Sequence, residues 1–172
     1  MSDRSTPSPD RLLSIYLQDH LAGAAAGTAR WRRLVRTSSD HPAAAEFREL
    51  ARELAHDYEA LQRFAGELRV PPAGWKGVLG RTAEWVGTVK LNGRLIRRSP
   101  LGVLVDLEVL RSAAVAKLSL FESLQSAGIA SMTVDVNALE QRTRHQVEAI
   151  TRLHNAEAAR LWGGGDPEAL EQ

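Results

Sequence analysis

The sequence predicts an all-α fold, a four-helix bundle made of two antiparallel helical hairpins. Apolar residues recur at helical spacing in four long segments of the 172-residue chain, and only one short segment also fits strands. Short polar turns join the four segments in two pairs, and a long connection lies between the pairs. Long helices joined by short turns pack as antiparallel neighbours, so the long connection should be a crossover, as in ferritin-like bundles.

The first helix is expected from about Arg11 to Thr37. Either Asp10 or Ser8, which precedes Pro9, can cap its first turn. Its last two turns contain four arginines: Arg30, Arg32, Arg33 and Arg36. The negative end of the helix dipole lies there, so we interpret these arginines as helix-stabilising rather than as a nucleic-acid patch.

The other three helices also have clear limits. Their expected ranges are Ala43 to Arg69, Ser99-Pro100 to Ser126, and the residues after Asp135 as far as Trp162. Pro71 prevents the second helix from continuing. Gly128 is the expected stop of the third helix, and Gly163 is the expected stop of the fourth. We therefore expect one domain at 11–162, with disordered tails at 1–10 and 163–172.

The crossover at 71–99 is the least regular segment. A stripe that includes Trp75 and Trp85 favours an amphipathic helix lying across the bundle. The part at 86–96 also fits a hairpin around Asn92-Gly93, but an isolated hairpin is only marginally stable, so we prefer the helix. The crossover is basic and could bind an anionic partner through Lys76, Arg81, Lys90, Arg94, Arg97 and Arg98. The simpler interpretation is that these side chains are solvated or pair with acidic helix faces.

Composition excludes several classes of function. The chain has no cysteine, which rules out disulfides, thiolate nucleophiles and cysteine-ligated metals. A formal net charge of +1 provides no global attraction to nucleic acid, so we expect no nucleic-acid partner. No segment is apolar over the length of a membrane span, and the first ten residues lack the apolar core of a signal peptide. We expect a cytoplasmic protein without a membrane span.

Two ionisable residues interrupt apolar stripes that should face the core. The second helix places Asp57 where its heptad of large apolar residues requires a leucine, and the first helix places His20 within its stripe. A buried charge is costly unless it is paired. Both residues lie about 18 positions from the turn between the helices, so they should be level and form a pair. With Glu108 and Gln146, they are expected to form a structural polar centre.

Three short strings carry a resemblance to a known family. They are Tyr16-Leu17-Gln18-Asp19-His20-Leu21-Ala22-Gly23, Leu91-Asn92-Gly93-Arg94-Leu95 and Arg98-Ser99-Pro100-Leu101. With the two-hairpin pattern, they resemble an uncharacterised bacterial family of ferritin-like four-helix bundles. The resemblance implies a fold, and ferritin-like metal proteins carry Glu and Glu-x-x-His ligands that point inward.

The metal motif is not intact in this chain. Glu53-Leu54-Ala55-His56 matches it in letters, but His56 should face solvent, and the first helix contains no glutamate. The inward-facing set that remains for iron or manganese is His20, Glu53, Asp57 and Glu108. We therefore expect a non-enzymatic protein without a cofactor that acts through association. The alternatives are a metal-dependent oxidoreductase and a binder of anionic partners.

Two further expectations concern packing. Gly23 and Gly27 indicate close helix packing in the first hairpin. The third helix has apolar residues on two sides, so one side needs a cover, either the crossover or a second copy of the chain. The side considered for a homodimer contains Val103, Leu107, Leu110, Ala114 and Phe121.

Overall fold

The predicted four-helix bundle is confirmed. A computed structural model describes residues 8–71 and 101–163. They form α1 (Pro9–Thr37), α2 (Ala44–Glu67), α3 (Gly102–Ser126) and α4 (Val136–Trp162), and those two ranges contain no strand. The crossover residues 72–100, with the predicted helix or hairpin at 86–96 and the basic patch, lie outside the described residues.

The helix ends follow local chemistry. The Ser8 side chain accepts a hydrogen bond from the Arg11 backbone N–H and Pro9 is the first helical residue, so α1 includes two residues that the sequence assigned to a tail. The Asp135 side chain caps α4 in the same way. Gly128 follows α3 with a φ of 67°, a left-handed conformation that glycine adopts without strain.

The helices follow an up-down-down-up order. Asp106, near the start of α3, bonds to Arg30 and Arg33 near the end of α1. At the other end of the same two helices, Tyr16 of α1 contacts Ser123 of α3. Helix α3 therefore runs antiparallel to α1 and parallel to α2, so α2 ends and α3 begins at opposite ends of the bundle.

Side-chain bonds also join α2 to α4. Arg152, in the last third of α4, bonds to Glu46 at the start of α2. At the far end of α2, the Glu67 carboxylate accepts hydrogen bonds from Ser131 and Thr133 in the turn between α3 and α4. The four helices thus form a square in which α1 neighbours α2 and α3, and α4 neighbours the same two.

The apolar side of α3 that suggested a dimer is part of the bundle core. Leu107, Leu110, Ala114 and Phe121 are all buried, and Val103 packs against the same core. The expectation that this side needs an external cover was wrong, because the helices of the bundle itself cover it. The large apolar residues that are exposed here are Val115 of α3 and Leu101 just before it, each 45 % exposed.

Core packing predicts a sharp contrast between two α3 positions. Phe121→Ala should lower the free energy of unfolding by about 3–5 kcal/mol, because it removes a buried ring and leaves a cavity. Val115→Ala, on the exposed side of the same helix, should change it by less than about 1 kcal/mol. Urea unfolding measures both. Equal costs would show that the two sides of α3 are buried alike.

Candidate functional site

The bundle core is divided into two apolar clusters by a polar layer at mid-height. One cluster, at the end where α1 begins, includes Leu17, Leu61, Phe64, Leu120, Phe121, Leu124 and Leu139. The other, at the end where α1 finishes, includes Trp31, Leu34, Phe47, Leu50, Leu107, Leu110, Ile150 and Leu153. Between the two clusters, polar residues interrupt the apolar stripe of each helix. The interruptions are His20 and Thr28 in α1, Asp57 in α2, Lys117 in α3, and Thr143 and Gln146 in α4.

Asp57 is the centre of this layer. It is 1 % exposed, and three donors from two other helices hold its carboxylate. Lys117 Nζ of α3 donates to Oδ2 at 2.8 Å, and Gln146 Nε2 of α4 donates to the same oxygen at 3.0 Å. Arg142 Nε of α4 donates to Oδ1 at 2.7 Å. Two cations and an amide therefore hold the carboxylate, which compensates its removal from water.

Gln146 extends the layer to a second carboxylate. Its amide oxygen accepts from Lys117 Nζ at 2.7 Å, while its amide nitrogen also donates to Glu53 Oε2 at 3.2 Å. The charged members of the layer are two carboxylates, Glu53 and Asp57, and two cations, Lys117 and Arg142. Their formal charges balance, so the core contains a neutral cluster rather than an isolated ion.

Lys117 is the most perturbed group in the layer. Burial lowers the pKa of its ammonium below the ordinary value, and the attraction of Asp57 opposes that effect. A lysine has three N–H donors. Within the described part of the chain, two of them have acceptors, one on Asp57 and one on Gln146.

A cavity of about 320 Å³ adjoins the layer between α1, α2 and α3. We call it the α1–α3 cavity; its walls include Ala22, Gly23, Ala24 and Gly27 of α1, Leu54, Asp57, Tyr58 and Leu61 of α2, and Leu110, Ala113, Ala114, Ala116, Lys117 and Leu120 of α3. Most of these side chains are small or apolar. Lys117 and Asp57 bring the polar layer to the wall.

The two glycines of α1 are not at a close helix contact, contrary to the expectation. A Cβ atom added at Gly23 or Gly27 would meet no atom within 4 Å among the described neighbours. Both positions line the α1–α3 cavity. The missing side chains therefore leave space open instead of allowing α1 to approach α3 more closely.

His20 also lines the α1–α3 cavity, but the predicted pair with Asp57 is not formed. Its ring makes an edge contact with Tyr16, with 4.5 Å between the ring centres. Burial lowers the pKa of His20, and the nearby Asp19 carboxylate opposes this, so the ring is neutral at pH 7. The hydrogen bonds of Asp57 come instead from Lys117, Arg142 and Gln146.

The remaining predicted site residues separate into two groups. Gln146 lies in the polar layer beside Asp57, as the predicted centre requires. Glu108 does not: its carboxylate is 55 % exposed and accepts from His154 Nε2 at 3.4 Å. The predicted metal set of His20, Glu53, Asp57 and Glu108 is therefore not assembled. Within residues 8–71 and 101–163, no three carboxylate or histidine side chains are grouped closely enough to hold a metal ion.

Sequence reasoning missed Lys117 and Arg142, the two cations that balance Asp57. Lys117 had a detectable signal. It lies in the alternating three- and four-residue spacing of Leu110, Ala114, Phe121 and Leu124, at the step where an apolar residue is expected. Arg142 had none, because it reaches Asp57 from the edge of the α4 stripe through its long side chain.

Comparisons with protein-family models, with curated proteins and with solved structures found no match to this chain. Among the described helices, none is long and apolar enough to cross a membrane.

The polar layer predicts a strong coupling between Asp57 and Lys117. Asp57→Ala should cost about 3–5 kcal/mol, because it leaves Lys117 buried without its counter-charge. Lys117→Met should cost about 1–3 kcal/mol, since Arg142 and Gln146 still hold the carboxylate. The double variant should cost less than the sum by at least about 1 kcal/mol in a double-mutant cycle measured by urea unfolding.

The exposed ion pair of Glu49 and Arg52 on α2 is the matched control. Its cycle should give a coupling below about 0.5 kcal/mol. Strict additivity at Asp57 and Lys117 would contradict the proposed layer.

The lowered pKa of His20 predicts a loss of stability in mild acid. Between its folded pKa and its ordinary value of 6.5, unfolded chains bind a proton at this ring and folded chains do not. The free energy of unfolding should therefore fall as the pH drops below about 6.5. His20→Gln should reduce this slope, whereas His56→Gln, at an exposed position of α2, should not. Equal slopes in all three proteins would disprove the assignment.

Proposed function

We propose that the protein is a non-enzymatic helical bundle that acts by binding a small, largely apolar molecule in the α1–α3 cavity. The observation that carries the proposal is the cavity itself, about 320 Å³ of space with apolar walls beside a charge-balanced polar layer. Small-molecule sites are typically concave, mostly apolar and supplied with a few fixed polar groups, and their volumes start at about 300 Å³.

The glycines support a role for this space. Glycine in a helix interior lowers stability by about 0.5–1 kcal/mol relative to alanine. No described neighbour of Gly23 or Gly27 requires the absence of a side chain, since a Cβ atom at either position would meet none of them within 4 Å. Both glycines therefore lower helix stability without relieving a clash with these neighbours. Their effect is to leave the cavity unfilled on the side of α1.

The partners of Asp57 argue against the metal-dependent alternative. Lys117 and Arg142 already supply the positive charge that a cation would bring to this carboxylate. Helix α1 contributes Asp19 and His20 to the described lining of the cavity, and no glutamate. We retain the ferritin-like resemblance as a proposal about fold only, supported by the up-down-down-up order and the single long crossover. Anionic-partner binding by the basic crossover remains a prediction.

The proposal is tested by filling the cavity from α1. Cumene, a compact apolar molecule, should raise the melting temperature of the wild-type protein, because a ligand that binds the folded state stabilises it. Gly27→Leu should abolish that rise, since the new side chain occupies the cavity. The variant should itself be more stable than wild type by about 0.5–1 kcal/mol, because leucine favours a helix more than glycine does.

Gly66→Leu is the matched control. It is also a glycine-to-leucine change within a helix, it lies on the exposed side of α2, and an added Cβ atom meets nothing there. This variant should keep the response to cumene. The proposal fails if cumene does not stabilise the wild-type protein, or if Gly27→Leu responds as the wild type does.

A further inference from the structure

The polar wall of the α1–α3 cavity restricts what kind of head group a ligand can carry. Thr28 has a hydrogen-bond donor, but its hydroxyl donates to the Ala24 carbonyl of its own helix at 2.9 Å. The Asp57 carboxylate already accepts from three donors. Lys117 differs from both, because the described residues supply acceptors for only two of its three N–H groups.

The charges at the cavity wall disfavour an anionic ligand. Lys117 contributes the only positive charge among the described lining residues, and the Asp57 carboxylate lies directly against it. His20 is neutral at pH 7 because burial lowers its pKa. Lys117 Nζ lies 2.8 Å from Asp57 Oδ2. A ligand carboxylate placed against Lys117 would therefore also lie close to the Asp57 carboxylate, and the two negative charges would repel each other.

A cationic head group is disfavoured for a different reason. The buried carboxylate at the wall, Asp57, already lies against two cations, Lys117 and Arg142, which balance its charge. A cationic head group would also face the ammonium of Lys117, which is held in place by Asp57 and Gln146 and cannot turn away without losing both hydrogen bonds.

We infer that the natural ligand is a neutral, largely apolar molecule with one oxygen acceptor, such as a ketone, ester or ether, whose oxygen accepts the third N–H of Lys117. This inference rests on the proposed function and names its ligand class. The ligand would supply an acceptor to a buried donor, and its apolar body would fill the space beside Gly23 and Gly27. A hydrogen bond to a charged donor in such a site is stronger than one between neutral groups.

The test compares four benzene derivatives of similar size that differ in head group: cumene, acetophenone, benzoate and benzylammonium. Calorimetric titration of the wild-type protein at pH 7.5 should give acetophenone an affinity at least about tenfold above that of cumene, as one charge-assisted hydrogen bond predicts. Benzoate and benzylammonium should bind more weakly than acetophenone.

Lys117→Met should lower the affinity for acetophenone to about that of cumene and leave the affinity for cumene within about twofold of the wild-type value. If this variant does not fold, Asp57→Asn combined with Lys117→Met removes one charge of each sign and keeps the layer balanced. The same equalisation of acetophenone and cumene is expected in it.

The outcomes separate this inference from the function on which it rests. If cumene binds and Gly27→Leu blocks it, but acetophenone binds no better than cumene, the site exists and the inference is wrong. Tighter binding of benzoate or benzylammonium than of acetophenone would also overturn it. If none of the four compounds binds, the proposed function fails as well.

Discussion

The rest of the structure depends on a single buried carboxylate, Asp57, and on the fact that its charge is neutralised by two other helices. Lys117 reaches it from α3, and Arg142 and Gln146 reach it from α4. Removing Asp57 would leave Lys117 buried without its counter-charge, which costs several kcal/mol. The two apolar clusters above and below consist mainly of leucine, alanine and phenylalanine, which can exchange partners at little cost. We infer that the polar layer fixes the relative heights of α2, α3 and α4.

Two other carboxylates repeat this arrangement at the end of the bundle where α1 finishes. Asp106 of α3 is bonded by Arg30 and Arg33, so it joins α3 to α1. Glu157 of α4 is bonded by Arg160 and by His41 in the turn between α1 and α2. In each case a nearly buried acid has two basic partners, at least one of them from another element. The arginines of α1 thus do more than complement the helix dipole: two of the four bind Asp106.

The fold could be predicted from the sequence because its signals are local. Ser8, Asp135 and Gly128 mark helix ends through bonds or backbone angles within a few residues of each, and the apolar periodicity identifies the buried faces. The start of α3 was less accurate: it lies at Gly102, without a side-chain cap, and the predicted Ser99-Pro100 start falls outside the described residues. Periodicity also could not tell which of the two apolar sides of α3 faces the other helices.

The partners of a buried group are harder to predict, because they depend on which helices are neighbours. His20 was predicted to pair with Asp57 because both lie equally far from the turn between α1 and α2. That argument considered the first hairpin only and left out side chains from α3 and α4. Lys117 interrupts α3 as Asp57 interrupts α2, and the two helices are parallel: Asp57 lies 13 residues after Ala44, and Lys117 lies 15 residues after Gly102. Asp57 and Lys117 carry opposite charges and interrupt the apolar stripes of two parallel helices at similar heights. A search for such matching interruptions would have identified this pair, provided that α2 and α3 had been taken as parallel.

The same pairing explains why the cavity lies against α1. The polar layer directs the long side chains of Lys117, Arg142 and Gln146 toward Asp57, so α2, α3 and α4 fill the centre with one another's side chains. Helix α1 contributes no partner to Asp57, and at this level it presents glycine and alanine, with His20 beside them. Among residues 8–71 and 101–163, no side chain fills the space beside these small residues, next to a lysine with one N–H for which those two ranges supply no acceptor. A core built only for stability would close this gap, since each unfilled volume weakens packing. The open cavity is therefore the feature of the bundle that stability alone does not explain.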